Sequence, residues 1–289
     1  MINQSTHYYL PEPSHWPVIG SCALFLMTFG GVLWMNEMHA GPWVVLAGMA
    51  VMLYMLFGWF GTVIRESEGG KYNQQVDLSF RWSMSWFIFS EVMFFAAFFG
   101  ALFYMRILSV PGLGANETME QLWPGYAAGW PTSGPYITEK FTAMEAWGIP
   151  AINTLILLTS GVTVTWAHWA LKKNNRSQLI LGLAVTVALA ATWLLGFLFV
   201  GLQAHEYHHA YTELGLQLGT GIYGSTFFML TGFHGFHVTI GTIMLIVILG
   251  RSIAGHFTAD HHFAFEGVSW YWHFVDVVWL MLFVLVYWL

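Results

Sequence analysis

Charged side chains are scarce in this sequence of 289 residues, where Lys, Arg, Asp and Glu together make up only 8%. Soluble globular proteins contain about 25% charged residues. Hydrophobic residues make up 57% of the chain, and a single water-soluble core cannot bury that much apolar surface. The two proportions exclude an ordinary soluble domain and predict a protein that crosses a lipid bilayer several times.

Basic residues and cysteine are also scarce. The chain has 9 Lys and Arg against 15 Asp and Glu, so its formal net charge is -6. Nucleic acid is excluded as a partner, because its binding requires a basic surface. The single cysteine, Cys22, lies in an apolar run, which rules out a disulfide framework and a cysteine-pair metal site within the chain.

Long apolar runs dominate what is present, and seven of them have the ~20 residues that a membrane-spanning helix needs. Only helices close all their backbone hydrogen bonds within one segment, so we predict an all-α polytopic membrane protein. One transmembrane domain, 1–289, is predicted to contain helices at about 16–36, 42–64, 82–106, 148–170, 179–202, 221–249 and 267–289, with a long loop at 107–147.

The basic residues predict the orientation of these helices. Only Arg106 and Lys140 fall in loops on the side opposite the N-terminus. By the positive-inside rule, the N-terminus is therefore cytoplasmic and the C-terminus, after seven spans, is periplasmic. The other seven basic residues lie on the N-terminal side: Arg65, Lys71, Arg81, Lys172, Lys173, Arg176 and Arg251.

Glu91 is a carboxylate inside the otherwise apolar third helix. It lies about 9 residues after the predicted start at Trp82, which places it roughly 13 Å into the hydrocarbon. An ionisable group at that depth costs several kcal/mol unless it is neutral, paired or hydrated. Two interpretations stay open: a proton-handling carboxyl, or a protonated carboxyl that hydrogen-bonds to a neighbouring helix and only braces the packing.

Other polar side chains lie at the middle of the last two helices. His234 and His237 are three residues apart on the sixth helix, and His273 and Asp276 are three apart on the seventh, so each pair shares a helix face. A buried carboxylate–imidazole site for a metal or haem is one interpretation. The other is that these groups provide buried polar support across helices.

The run His205-Glu-Tyr-His-His209 matches the H-E-x-x-H signature of zinc proteases. That chemistry requires a third ligand and an open site on a rigid helix. The run falls at the outer end of the fifth helix, where His, Tyr and Glu are also common. A zinc hydrolase and a chance match both stay open.

Arg65, near the end of the second helix, and Arg251, near the end of the sixth, lie at the cytoplasmic headgroup level. Each either orients its helix by extending its side chain to the interface or binds the phosphate of an anionic lipid bidentately.

Six runs of residues together are identified as typical of the cytochrome c oxidase subunit III family, and they cover the predicted helices in order. Two of them, Thr231–His237 and His261–Trp279, are long and specific. The others are Arg65–Ser67, Phe89–Val92, Ser160–His168 and Gly224–Phe228.

This resemblance implies an accessory subunit, without a catalytic centre or cofactor of its own, in the proton-pumping terminal respiratory oxidase that reduces oxygen to water. Its partners would be the catalytic haem–copper subunit I, the copper-bearing subunit II and membrane phospholipids. The resemblance further implies that a lipid-filled V-shaped cleft separates the first two helices from the other five. It implies stabilisation of the catalytic subunit and access for oxygen through the cleft.

Site roles also follow from the resemblance. The position of Glu91 matches a buried carboxylate linked to proton uptake. The implied lipid-binding residues are Trp59, Arg65, Glu66, His237 and Arg251.

The sequence departs from mitochondrial members of the family in two places. Phe60 follows Trp59 where a second Trp is common, and the 107–147 loop is longer. The longer loop predicts a bacterial protein of the inner (cytoplasmic) membrane. From the residues alone, a stand-alone proton-coupled transporter that uses Glu91 and Asp276 remains the alternative function.

Overall fold

The computed structural model describes residues 9–115, 117–137, 140–191 and 199–289. Within these ranges all regular structure is helical, and six helices are long and apolar enough to cross a membrane. The prediction of an all-α polytopic membrane protein is confirmed. The predicted fifth span, 179–202, includes residues 192–198, which lie outside the described residues, so the count of seven spans stays a prediction.

The chain divides into two compact units at the boundary between Phe80 and Arg81. The first contains α1 (Trp16–Met35) and α2 (Gly41–Glu68), with a proline in the first turn of each helix, where its missing N–H is not needed. The α1 and α2 backbones touch through glycines. A Cβ atom on Gly30 would lie 2.6 Å from the Val45 nitrogen, and one on Gly48 would lie 2.7 Å from the Met27 nitrogen.

The third helix, α3 (Gln74–Phe103), begins eight residues before Trp82. The helix begins among polar residues. The Asn73 side chain accepts a hydrogen bond from the Val76 N–H at 3.0 Å, and this bond caps the first turn. The helix continues as a π-helical segment, Tyr104–Ser109, and a last turn, Val110–Gly112.

The second unit contains most of α3 and six further helices. A short α4 (Glu117–Leu122) lies in the long loop. The others are α5 (Ile149–Lys172), α6 (Arg176–Ala191), α7 (Phe199–Thr212), α8 (Ile222–Ala254) and α9 (Phe263–Leu282), which is extended by a π-helical segment, Phe283–Trp288. Helix α8 ends at Gly255, whose φ of 84° is the left-handed conformation that terminates a helix.

The core of the second unit lies where α5, α6, α8 and α9 pack together. Fully buried Trp272 and Trp279 supply much of its volume. Their indole N–H groups donate to the hydroxyls of Ser160 and Thr154, each at 2.9 Å. Because both polar tips are satisfied, α9 is fixed against α5 in one register.

Candidate functional site

Glu91 and His237 form a carboxyl–imidazole pair inside the second unit. The Nε2 atom of His237 lies 2.9 Å from Oε2 of Glu91, and the two side chains are 10% and 21% exposed. Glu91 comes from α3, and His237 lies next to the midpoint of α8. The two residues that the sequence placed at mid-helix are therefore in contact.

The contact of Nδ1, the second ring nitrogen of His237, determines how many protons the pair holds. Nδ1 of His237 lies 2.7 Å from the carbonyl oxygen of Phe233, which can only accept, so Nδ1 carries a proton. The Nε2–Glu91 hydrogen bond then needs one further proton, held by the carboxyl or by the imidazole. In both forms the pair has no net charge, which is the state that an apolar surrounding favours.

Aromatic rings enclose the imidazole. Phe94, Phe95 and Phe274 lie with their centroids 5.0–6.4 Å from that of His237, and the Tyr271 hydroxyl donates to the His237 carbonyl at 3.4 Å. This surrounding limits water around the ring. The partly exposed carboxyl of Glu91 is the more open side of the pair.

The other mid-helix histidine, His234, has a different environment. Its Nε2 lies 3.2 Å from the carbonyl oxygen of Val275, and its ring packs on Trp279. A buried imidazole that donates to a backbone carbonyl of the next helix braces the packing.

Asp276 and His273 lie against α5 and do not join the Glu91 pair. Oδ2 of Asp276 is 3.7 Å from Nδ1 of His273, and Nε2 of His273 is 3.2 Å from the Thr165 hydroxyl. Asp276 reaches α5 at Gly161, where a Cβ atom would lie only 2.5 Å from its Oδ2. Across the described residues, no group of three or more His, Cys, Asp or Glu could hold a metal ion, so the metal or haem interpretation gains no support.

Two comparisons with known proteins identify the family of the chain. The sequence matches the profile of a family described as "Cytochrome c oxidase subunit III" over residues 6–289. It is 43% identical to the cytochrome c oxidase subunit 3 of Marchantia polymorpha over 288 residues, which cover 99% of this chain and 98% of the relative. The chain belongs to the cytochrome c oxidase subunit III family. The subunit 3 of Danio rerio is 41% identical over 289 residues, which cover 100% of this chain and 99% of the relative.

The residues of the first unit that are predicted to bind lipid lie near the end of α2. In the first unit, Arg65 donates from Nη2 to the Thr62 hydroxyl at 2.9 Å, and Glu66 accepts from the Tyr72 hydroxyl at 2.8 Å. Trp59, which is 48% exposed, stacks on Phe60. These contacts hold a guanidinium, a carboxylate and an indole near the end of α2.

Arg251 is, with His237, one of the two predicted lipid-binding residues of the second unit. Its guanidinium lies 4.6 Å above the ring of Phe257, close to the end of α8. This cation–π contact fixes the direction of the side chain.

An ion pair that sequence analysis missed ties α3 to α9. Arg81 contacts the carboxylate of Glu266, and its guanidinium also lies 5.7 Å from the centre of the Phe263 ring. The two side chains are only 30% and 16% exposed. No local sequence signal links residues so far apart, although each directly precedes the start of a predicted helix.

The zinc-hydrolase interpretation of His205–His209 does not fit α7. Glu206 is 1% exposed and faces the protein interior, whereas His205 and His208 are exposed. His209 pairs with Glu213 at 3.2 Å. A zinc-protease helix needs its two histidines and its carboxylate on one open face, and here the carboxylate is buried while His205 is exposed.

Proposed function

We propose that this chain is a non-catalytic, accessory subunit of the proton-pumping cytochrome c oxidase and that the Glu91–His237 pair supports proton uptake by the complex. Family membership places the chain in an oxidase complex with other subunits. The observation that supports the proton role is the 2.9 Å contact between Nε2 and Oε2, because the two groups share one proton in a largely apolar surrounding. A group of this kind holds a proton and passes it on at little electrostatic cost.

The partners that we propose are the haem–copper subunit I, which reduces oxygen, and the copper-bearing subunit II. Haems and copper would be held by those subunits, and bound phospholipid would be the non-protein component of this one. Its roles would be to stabilise the catalytic subunit and to preserve it during turnover. Bound lipid would also give oxygen an apolar route.

The proposed lipid-binding role belongs to Arg65, Glu66 and Trp59 in the first unit and, separately, to His237 and Arg251 in the second. Its support is chemical. A guanidinium is the side chain that best matches a phosphate, and an indole suits the membrane interface. His234, His273 and Asp276 would be structural neighbours of these sites.

We further propose that the protein lies in the inner membrane of a bacterial cell, with a cytoplasmic N-terminus and a periplasmic C-terminus. The support is the distribution of basic residues, 7 of 9 of which fall on the N-terminal side of the predicted spans.

The test is purification in mild detergent through a tag on this chain, followed by a reduced-minus-oxidised absorption spectrum. We expect haem bands and oxygen consumption in the purified material. Selective removal of this chain should leave the haem bands in place and shorten the period of turnover before inactivation. A colourless single-chain preparation from aerobically grown cells would contradict the proposal and favour the transporter alternative.

A further inference from the structure

A further buried carboxyl group, apart from Glu91 and Asp276, lies on α7. Gln203 and Glu206 are three residues apart and therefore share one helix face. Their exposed fractions are 7% and 1%. Both reach the hydroxyl of Tyr287, in the π-helical extension of α9: the Gln203 amide donates to it at 3.5 Å, and the Glu206 carboxyl interacts with it.

The hydrogen bonds of this cluster are incomplete within the described part of the chain. Neither carboxyl oxygen of Glu206 has a hydrogen bond of good geometry, and neither does Oε1 of Gln203. Asn153, on the adjacent helix α5, is fully buried with both amide atoms unpartnered among the described residues. Buried polar atoms almost always have partners, and where protein groups do not supply them ordered water does.

Among the residues that the structure describes, no cation acts on the charge of Glu206. The titratable groups that act on it electrostatically are three tyrosines, Tyr207, Tyr223 and Tyr287. An isolated carboxylate in such a place would be strongly destabilising. A neutral carboxylic acid avoids that cost, and its O–H group then needs an acceptor.

We propose that Gln203, Glu206 and Tyr287 form a buried site that binds water and holds one proton on Glu206. A water molecule can accept from the carboxylic acid and donate to Oε1 of Gln203, which completes the hydrogen bonds that the side chains leave open. Glu206 lies four residues beyond the end of the predicted fifth span, 179–202. The inference does not depend on the role of Glu91.

The electrostatics of α7 agree with this assignment. Burial raises the pKa of Glu206 to about 7, and the interaction with the Tyr287 hydroxyl lowers it in part. The carboxyl would therefore be protonated below about pH 7 and would lose its proton above it.

The first test uses difference infrared spectroscopy of the assembled oxidase, recorded while the pH is stepped across 7. We expect a carboxylic acid C=O band that shifts in heavy water, is missing in Glu206→Gln and is retained in Glu213→Gln. Glu213 is a matched control because it is an exposed acid at the end of the same helix. A band that persists in Glu206→Gln would overturn the assignment of the proton. The absence of the band at every pH in the unaltered complex would overturn it as well, because a carboxylate that binds a cation stays ionised.

Two further measurements keep the proposal falsifiable if Glu206→Gln fails to assemble. Tyr287→Phe removes a hydroxyl that favours the ionised carboxyl, so the titration midpoint of the band should move to higher pH; an unchanged midpoint would contradict the site. A high-resolution cryo-EM map of the unaltered complex should show a density peak within hydrogen-bonding distance of both Gln203 and Glu206. An empty pocket would rule out the water.

Discussion

Oε2 of Glu91 lies 2.9 Å from Nε2 of His237, while Nδ1 of the same ring lies 2.7 Å from the carbonyl oxygen of Phe233. The carbonyl fixes a proton on Nδ1, so the carboxyl and Nε2 share one more. This pair is neutral as a whole and is enclosed mainly by aromatic rings. It gives the buried carboxyl a partner without adding net charge to the apolar layer.

A double-mutant cycle measures the strength of this pair. Glu91→Leu or His237→Leu alone should destabilise the complex by about 1–3 kcal/mol, because each leaves a largely buried polar partner unsatisfied. The double variant should lose less than the sum, with a coupling of about 1 kcal/mol or more. Thermal dissociation of the purified complex provides the readout. Strictly additive losses would show that the two groups do not interact.

The contact of Asp276 with α5 predicts a steric effect at Gly161. A Cβ atom there would lie 2.5 Å from Oδ2 of Asp276, so Gly161→Ala should destabilise the protein by about 1–3 kcal/mol. Gly235→Ala is the control, since no atom lies within 4 Å of its added Cβ; it should cost nothing. Equal thermal stability of the two variants would refute the close approach of α5 and α9.

The ion pair between Arg81 and Glu266 predicts a link between α3 and α9. Arg81→Ala should lower stability by about 1–3 kcal/mol, between the values typical of surface and buried pairs, and Arg81→Lys should restore part of the loss. Lys71→Ala breaks an exposed pair with Glu12, whose side chains are 46% and 82% exposed, and should have no measurable effect. Similar melting temperatures for Arg81→Ala and Lys71→Ala would contradict this view.

Lipid retention tests the proposed phosphate ligands. Arg65→Ala and Arg251→Ala together should reduce the anionic phospholipid that copurifies with the complex, as measured by mass spectrometry. Lys173→Ala, which removes another basic residue from the same predicted side, is the control. Conversion of both arginines to Lys should give partial loss, because lysine cannot bind phosphate bidentately. Unchanged lipid in the alanine variant would exclude these residues as ligands.

Composition and apolar run length were sufficient to predict the fold class, because a bilayer requires helices of a fixed minimum length. The ends of the helices were less predictable. Capping by Asn73 begins α3 at Gln74, among polar residues that a hydropathy argument assigns to a loop. The π-helical segments Tyr104–Ser109 and Phe283–Trp288 have no signal in the apolar pattern.

The sequence predicted that Glu91 and His237 are polar residues at mid-helix with a candidate function, but it did not predict that they are in contact. Helical spacing relates residues within one helix, whereas this contact joins residues 146 apart. The same limit hid the pair formed by Arg81 and Glu266. For Glu206, the sequence suggested a site that the structure does not support. The H-E-x-x-H match indicated a zinc site, whereas the orientation of α7 buries the Glu206 carboxyl in the protein.

The most direct test is proton uptake by purified oxidase that carries Glu91→Gln, followed with a pH-indicator dye during a single turnover. Glutamine can still donate to Nε2 of His237, so the complex should assemble with normal haem content. It cannot release a proton, so we predict slower uptake and earlier inactivation during sustained turnover. Uptake and lifetime equal to those of the unaltered enzyme would contradict the proton role, and loss of assembly would show that Glu91 is structural.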